Sequence, residues 1–131
     1  MPPAPHVLLV DDHAAVRAIL AHLLAQFCPA ATITEAAHGA EALGLVAHHT
    51  LDLIITDYQM PVMSGLQLVR ALRAQGMRTP IVVLSPDTNI AEASLSAGAT
   101  IFLPKPFPIH DLREHLRTLM PACADARALG E

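Results

Sequence analysis

Leu51-Asp52-Leu53-Ile54-Ile55-Thr56-Asp57-Tyr58-Gln59-Met60-Pro61 is the stretch that decides the fold. An apolar run, Leu53-Ile54-Ile55, stops abruptly at a carboxylate, Asp57, and a proline follows four residues later. A run of this length between turn signals suits a strand buried on both faces. Asp57 then stands at the strand's carboxyl end, the edge where open α/β sheets bind ligands and carry out chemistry. A carboxylate there can be a nucleophile, a metal ligand or a helix cap, and the neighbouring strands decide among them.

Upstream, His6-Val7-Leu8-Leu9-Val10 is another short apolar run, ending in Asp11-Asp12. Between these two strands, Val16, Ile19, Leu20, Leu23, Leu24 and Phe27 recur at helical spacing, with His13, Arg17 and His22 turned elsewhere, and Pro29 stops the helix. Ala31 to Ala36 alternates like a half-exposed edge strand. Gly39 then opens a short helix with Ala40, Leu43, Val46 and Ala47 on its buried side. Downstream, Ser64 is the expected N-cap of a helix with Leu66, Val69 and Leu72 as its stripe, Arg70 and Arg73 in water and Gly76 as its stop. Thr79 to Ser85 forms a fourth strand. Asp87 or Thr88 caps a weak Ala/Ser-rich helix closed by Gly98. Thr100-Ile101-Phe102-Leu103 is the fifth strand and runs into Pro104-Lys105-Pro106. The last helix, from about Pro108 to Leu119, buries Leu112, Leu116 and Leu119, shows Arg113, Glu114 and Arg117, and ends at Pro121. Five apolar strands alternating with five amphipathic helices imply an α/β fold: a doubly wound parallel sheet.

Composition sets the bounds. The 131 residues make one domain, and with 53% hydrophobic but only 3% aromatic residues the core must be aliphatic. A net charge of -4 argues against a nucleic-acid-binding surface within this chain. No apolar run approaches membrane-spanning length, and Met1 to Pro5 lacks the features of a signal peptide. A cytoplasmic location is therefore expected. Cys28 and Cys123 are far apart and form no metal-ligand pattern, so they read as packing or surface thiols. Of the eight histidines, His48 and His49 are adjacent and would diverge on a helix, and His13, His22, His110 and His115 fit solvated faces, which argues against a histidine metal site.

In such a sheet, right-handed crossovers put every strand's carboxyl end on one edge. Asp11, Asp12, Asp57, Ser85 and Lys105 then converge. Two carboxylates about 5 Å apart repel by roughly 3 kcal/mol at an effective dielectric near 20, so three need a cation. Oxygen ligands of this kind suit a hard divalent ion such as Mg²⁺. Lys105, the chain's single lysine beside seven arginines, supplies further positive charge.

With these residues in place, the chain resembles the response-regulator receiver domain of two-component signalling over nearly all of residues 6–119. The resemblance rests on Val10-Asp11-Asp12, Asp57-Tyr58-Gln59-Met60-Pro61, Gly65-Leu66, Thr79-Pro80, Ser85, Gly98-Ala99 and Lys105-Pro106-Phe107, in order and at matching spacing. It implies a flavodoxin-like sheet of strand order 2-1-3-4-5 and a cis Lys105-Pro106 bond. It also implies Asp57 as the phosphoacceptor, receiving the group from a sensor histidine kinase, a histidine phosphotransfer protein or a small phosphodonor. Mg²⁺, with Mn²⁺ as a substitute, would be held by Asp12 directly, Asp11 through water, Asp57, and the backbone carbonyl of Gln59. Lys105 and Ser85 would stabilise the phosphoryl group. Ser85 and Phe102 would act as the switch, and Gln59, Pro86 and Asp87 would tune water access and lifetime. The output face would be the fourth helix, fifth strand and fifth helix, for a downstream protein or a homodimer partner.

One departure stands out. Pro86 occupies a place where relatives use a small residue whose backbone N–H donates to the phosphoryl group, and proline has no N–H to give. It also biases Ser85 toward extended backbone. This keeps open a pseudo-receiver that binds partners without carrying phosphate. A flavodoxin-like small-ligand domain is disfavoured because the loop after the first strand is acidic rather than a phosphate cradle. Residues 1–120 are expected to be the receiver and 121–131 a tail or the start of a linker, with a stand-alone regulator favoured over a piece of a larger regulator or hybrid kinase.

Overall fold

The computed structural model describes residues 4–121 and Cys123. Its strands are β1 (His6–Val10), β2 (Thr32–Ala36), β3 (Leu53–Asp57), β4 (Ile81–Ser85) and β5 (Ile101–Pro104). Its helices are α1 (Ala14–Phe27), α2 (Gly39–Val46), α3 (Gly65–Ala74), α4 (Ala91–Ala97) and α5 (Ile109–Leu119), with a single 3-10 turn, Thr88–Ile90, leading into α4. All strand pairs are parallel, in the order β2-β1-β3-β4-β5.

The alternation of side chains along each strand divides the core in two. Val7, Leu9, Leu53, Ile55, Val82 and Leu84 pack against Leu20, Leu24 and Phe27 of α1 and Leu112 and Leu116 of α5. Leu8, Val10, Ile54, Ile81 and Val83 face Ala42 and Val46 of α2 and Leu68, Val69 and Leu72 of α3. Every residue of β3 and β4 is buried, as their unbroken apolar runs required, whereas β2 is the half-exposed edge.

Several helix faces differ from the expected ones. Ile19 is 62% exposed, because the α1 stripe centres on Leu20, Leu24 and Phe27 and Ile19 lies about 100° round from Leu20. In α2 the buried positions are Gly39, Ala42 and Val46, while Ala40 and Ala47 are exposed. Gly39 lies so close to Met63 that a Cβ there would sit 2.5 Å from its sulfur. With position 39 facing inward, positions 42 and 46 follow. In α3, Leu68 is buried and Leu66 only partly so. Ser64 caps α3 as expected and forms a reciprocal box with Gln67. Gly76 follows with φ +82°, a conformation that suits glycine.

Arg73 was expected to face water, and it does not. Its guanidinium donates to the carbonyls of Gly98 at 2.9 Å, Met77 at 2.9 Å and Thr79 at 2.8 Å. It thereby ties α3 to the loops that precede β4 and β5. Gly98 has φ +121°, and a Cβ there would stand 2.7 Å from Arg73 Cγ, so glycine is required on two counts. Burial lowers the Arg73 pKa from its ordinary value without removing its charge. Arg113 is likewise not simply solvated: its guanidinium lies 5.1 Å from the centre of the Phe27 ring, a cation–π contact joining α5 to α1.

The two cysteines are bonded to each other, contrary to the thiol reading. Cys28 and Cys123 form a disulfide with Cα atoms 5.0 Å apart, across 95 residues of sequence. The topology explains the meeting. Helices α1 and α5 cover the same face of the sheet, and their C-terminal ends share the edge opposite Asp57. Of the tail expected at 121–131, all but Pro121 and Cys123 lies outside the described residues.

Candidate functional site

Strand register assembles the site. Val10 pairs with Thr56, Asp57 with Leu84, and Ser85 with Pro104. The residues just beyond or at these positions, Asp11, Asp57, Ser85 and Lys105, therefore reach the same edge at the same height. The Lys105-Pro106 bond is cis.

Asp57 is 5% exposed, and Lys105 Nζ donates to its Oδ1 at 3.0 Å. The same ammonium lies 3.9 Å from Asp11 Oδ2, too far for a hydrogen bond. Burial pushes the Asp57 carboxyl above its ordinary range. The hydrogen bond and charge of Lys105 pull it back, and the charges of Asp11 and Asp12 add to the upward push. With the folded pKa raised, the folded chain holds this proton longer than the unfolded chain. The stability contributed by Asp57 therefore falls as pH rises from the ordinary value of 3.8 through the folded value.

Asp11 is 1% exposed, and its Oδ1 accepts the His13 N–H at 2.8 Å. Arg17, expected merely on the far face of α1, donates from a terminal nitrogen to the Asp11 carbonyl at 2.7 Å and from Nε to Glu35 at 3.0 Å. It fixes the backbone that carries both acids. His13 is exposed, as read from the sequence, and also places Nδ1 3.4 Å from Asp11 Oδ1 and 3.2 Å from Asp12 Oδ1. Asp11 Oδ2 and Asp12 Oδ1 are buried and have no hydrogen-bond partner. Donor atoms of Asp11, Asp12, His13 and Asp57 all lie within 4.8 Å of one another. Buried carboxylate oxygens facing each other without donors are unfavourable unless a cation joins them. The residues fit a hard divalent ion.

Gly65 closes the site from below. A Cβ there would meet the Asp57 carbonyl oxygen at 2.5 Å and Tyr58 Cα at 2.9 Å, both backbone atoms that cannot swing aside. Gly65 also donates its N–H to the Tyr58 carbonyl at 2.8 Å. Gly65→Ala is expected to lower stability by about 1–3 kcal/mol through overpacking, read as a lower urea midpoint. An unchanged midpoint would contradict the close approach.

The remaining predicted residues are arranged as follows. Ser85 is fully buried. Its hydroxyl oxygen accepts the Asp87 N–H at 3.0 Å, and its carbonyl accepts the Lys105 N–H at 2.9 Å. Pro86 is exposed, and the Asp87 carboxylate accepts from Asn89 N–H at 2.9 Å, capping the 3-10 turn. Gln59 is exposed in the loop after β3. Phe102 is partly buried against the core on the α2–α3 side of the sheet.

Fold and acidic edge together define a class, an α/β domain with a cluster of carboxylates at its strand ends. The comparisons place it more narrowly. The family model described as "Response regulator receiver domain" matches residues 7–117, and the chain belongs to that family. Response regulator MprA of Mycobacterium sp. (strain KMS) is 38% identical over 116 residues, covering 87% of this chain and 50% of that protein. The chain thus spans about half the length of the curated relatives it matches. Among solved structures, Vibrio cholerae chemotaxis protein CheY4 superposes with a TM-score of 0.80 at 34% identity, covering 89% of this chain and 99% of that one. The receiver domain of the Francisella response regulator 1452 gives 0.75 at 32%, covering 88% and 95%. Among the described residues, no helix is long and apolar enough to cross a membrane.

Proposed function

We propose that this receiver domain is activated by phosphorylation of Asp57, with residues 1–120 as the receiver unit. It is a phosphoacceptor, not an enzyme with a diffusible substrate. The observation that supports this best is the contact of Lys105 Nζ with Asp57 at 3.0 Å beside two carboxylates with unpartnered oxygens. The Asp57 carboxylate attacks phosphorus. The bond from phosphorus to the imidazole nitrogen of a histidine kinase or phosphotransfer protein breaks, and the product is an acyl phosphate. Lys105 follows the charge as it moves onto the phosphoryl oxygens. Asp11, Asp12, Asp57 and the Gln59 carbonyl would hold Mg²⁺ or Mn²⁺, which supplies charge neutralisation during transfer.

A phosphoryl group carries about -1.5 to -2 charges near neutral pH. Its oxygens draw the Ser85 hydroxyl away from the Asp87 amide, and Phe102 moves further inward under α4. Helix α4 suits such movement: it has seven residues, and its one buried residue, Ser94, has a hydroxyl without a hydrogen-bond partner. Leu95 and Ile109, 48% and 51% exposed, offer apolar contacts on α4 and α5 for a downstream protein or a second copy. The setting is the cytoplasm. Mg²⁺-dependent labelling of wild type by a phosphodonor, lost in Asp57→Ala, tests this reading. Absence of labelling in wild type would leave the pseudo-receiver.

That second reading draws support from Pro86 and the engaged Ser85. The backbone amide at 86 is missing, and the next amide already binds Ser85. Pro86→Ala is expected to lengthen the lifetime of aspartyl phosphate several-fold, an increment of about 1 kcal/mol for one recovered hydrogen bond. Loss of label with time after donor removal measures it. An unchanged decay would remove Pro86 from the account.

A further inference from the structure

The His13 side chain is largely exposed, yet its Nδ1 lies 3.2 Å from Asp12 Oδ1 and 3.4 Å from Asp11 Oδ1. We propose that His13 is an additional ligand of the divalent-cation pocket, giving this receiver a mixed oxygen–nitrogen site that favours transition-metal ions over Mg²⁺. The inference rests on reading the acidic pocket as a cation site.

Geometry carries it. Two donors about 2.1 Å from one ion and at right angles stand about 3.0 Å apart. His13 Nδ1 is 3.2 Å from Asp12 Oδ1 and 3.4 Å from Asp11 Oδ1, close to such an edge. A second observation is independent of that spacing. Asp12 Oδ1 is buried and makes no hydrogen bond although Nδ1 lies so near, and Asp11 Oδ2, on a residue 1% exposed, also lacks a hydrogen-bond partner, its nearest cation being Lys105 Nζ at 3.9 Å. His13 is held in place from its own backbone, since its N–H donates to Asp11 Oδ1 and its carbonyl accepts the Arg17 N–H at 2.9 Å. Its φ of -98° and ψ of 107° set it just before α1, and its side chain does not cap the helix. The imidazole is thus free of a capping duty and oriented toward the acids.

Ligand chemistry then sets the preference. Mg²⁺ takes oxygen donors and keeps its waters, whereas imidazole nitrogen raises affinity along the series from Mn²⁺ through Co²⁺ to Ni²⁺. Outer-shell partners alone alter metal affinity by about 10- to 100-fold, so loss of a direct donor should lower Co²⁺ affinity by at least about tenfold.

The test is calorimetric titration of the whole chain with Mg²⁺ alone and with Co²⁺ alone, in wild type, His13→Ala and Asp12→Ala. Visible Co²⁺ absorption serves as a second readout. His13→Ala should weaken Co²⁺ by at least about tenfold and alter its absorption, while Mg²⁺ affinity changes by less than about threefold. Asp12→Ala should remove both ions, which separates this pocket from the other histidines. If His13→Ala leaves the Co²⁺-to-Mg²⁺ ratio and the Co²⁺ spectrum unchanged, His13 is no ligand, though the pocket stands. If neither ion binds wild type in an Asp12-dependent manner, the cation-pocket reading fails and this inference fails with it.

Discussion

Lys105→Met is expected to slow phosphorylation of Asp57 by about 10²- to 10³-fold, the range found when one preorganised charge-stabilising donor is removed from a transition state. Methionine keeps an unbranched apolar stem as far as Cε and removes the ammonium. In the resting site Lys105 makes the hydrogen bond to Asp57 and supplies the two influences that hold its pKa down. Without them, burial and the charges of Asp11 and Asp12 act unopposed. The variant's Asp57 should therefore ionise at higher pH than wild type. Because the nucleophile is the ionised form, the deficit should grow as pH is lowered. Initial rates of labelling by acetyl phosphate at saturating Mg²⁺, across a pH series, measure both effects. A rate within about threefold of wild type would exclude a direct role for Lys105.

Breaking the Cys28–Cys123 link should have the largest effect on stability. The bond closes 95 residues of sequence, and disulfides of this kind contribute about 2–4 kcal/mol, chiefly by restricting the unfolded chain. For a domain of this size that corresponds to a fall in Tm of roughly 8–16 °C. The double substitution Cys28→Ser with Cys123→Ser should reproduce the Tm of the reduced wild type, and the oxidised wild type should stand above both. Two titratable thiols in the denatured, non-reduced protein would contradict the bond itself. The link joins the C-terminal ends of α1 and α5 at the edge opposite Asp57, so its loss should leave labelling of Asp57 unchanged. That contrast separates loss of stability from loss of chemistry.

The strands and the convergence of Asp11, Asp12, Asp57, Ser85 and Lys105 were legible because they depend on local pattern plus chirality, whereas the strand order came from the resemblance to receiver domains. An apolar run flanked by turn residues marks a buried strand wherever it lies, and right-handed crossovers bring the run ends to one edge. The receiver motifs gave those residues their order. What escaped was set by three-dimensional neighbours. Helical spacing puts Arg73 one turn beyond the buried Val69, but does not say that the carbonyl of Gly98, 25 residues on, waits beside it. Arg113 reads as a wet arginine until α1 brings Phe27 beneath it. Cys28 and Cys123 show no mutual signal across 95 residues, although the pairing was available to a reader who noted that α1 and α5 cover one face with their C-terminal ends together. His13 follows directly after the paired acids. Its identity beside two carboxylates was a signal, set aside because exposed histidines are usually solvated. Arg17 offered one too, standing one helical turn beyond His13 and so within reach of the loop it braces.

The central claim is that Asp57 is where phosphate enters. The most direct measurement is intact mass of wild type and Asp57→Asn after exposure to acetyl phosphate with Mg²⁺ and with a chelator, followed by borohydride reduction and peptide mapping. Wild type should gain the mass of one phosphoryl group with Mg²⁺ only, mapped to Asp57, and Asp57→Asn should gain none. A wild type that takes up no phosphoryl group, or a label that persists in Asp57→Asn, would contradict it.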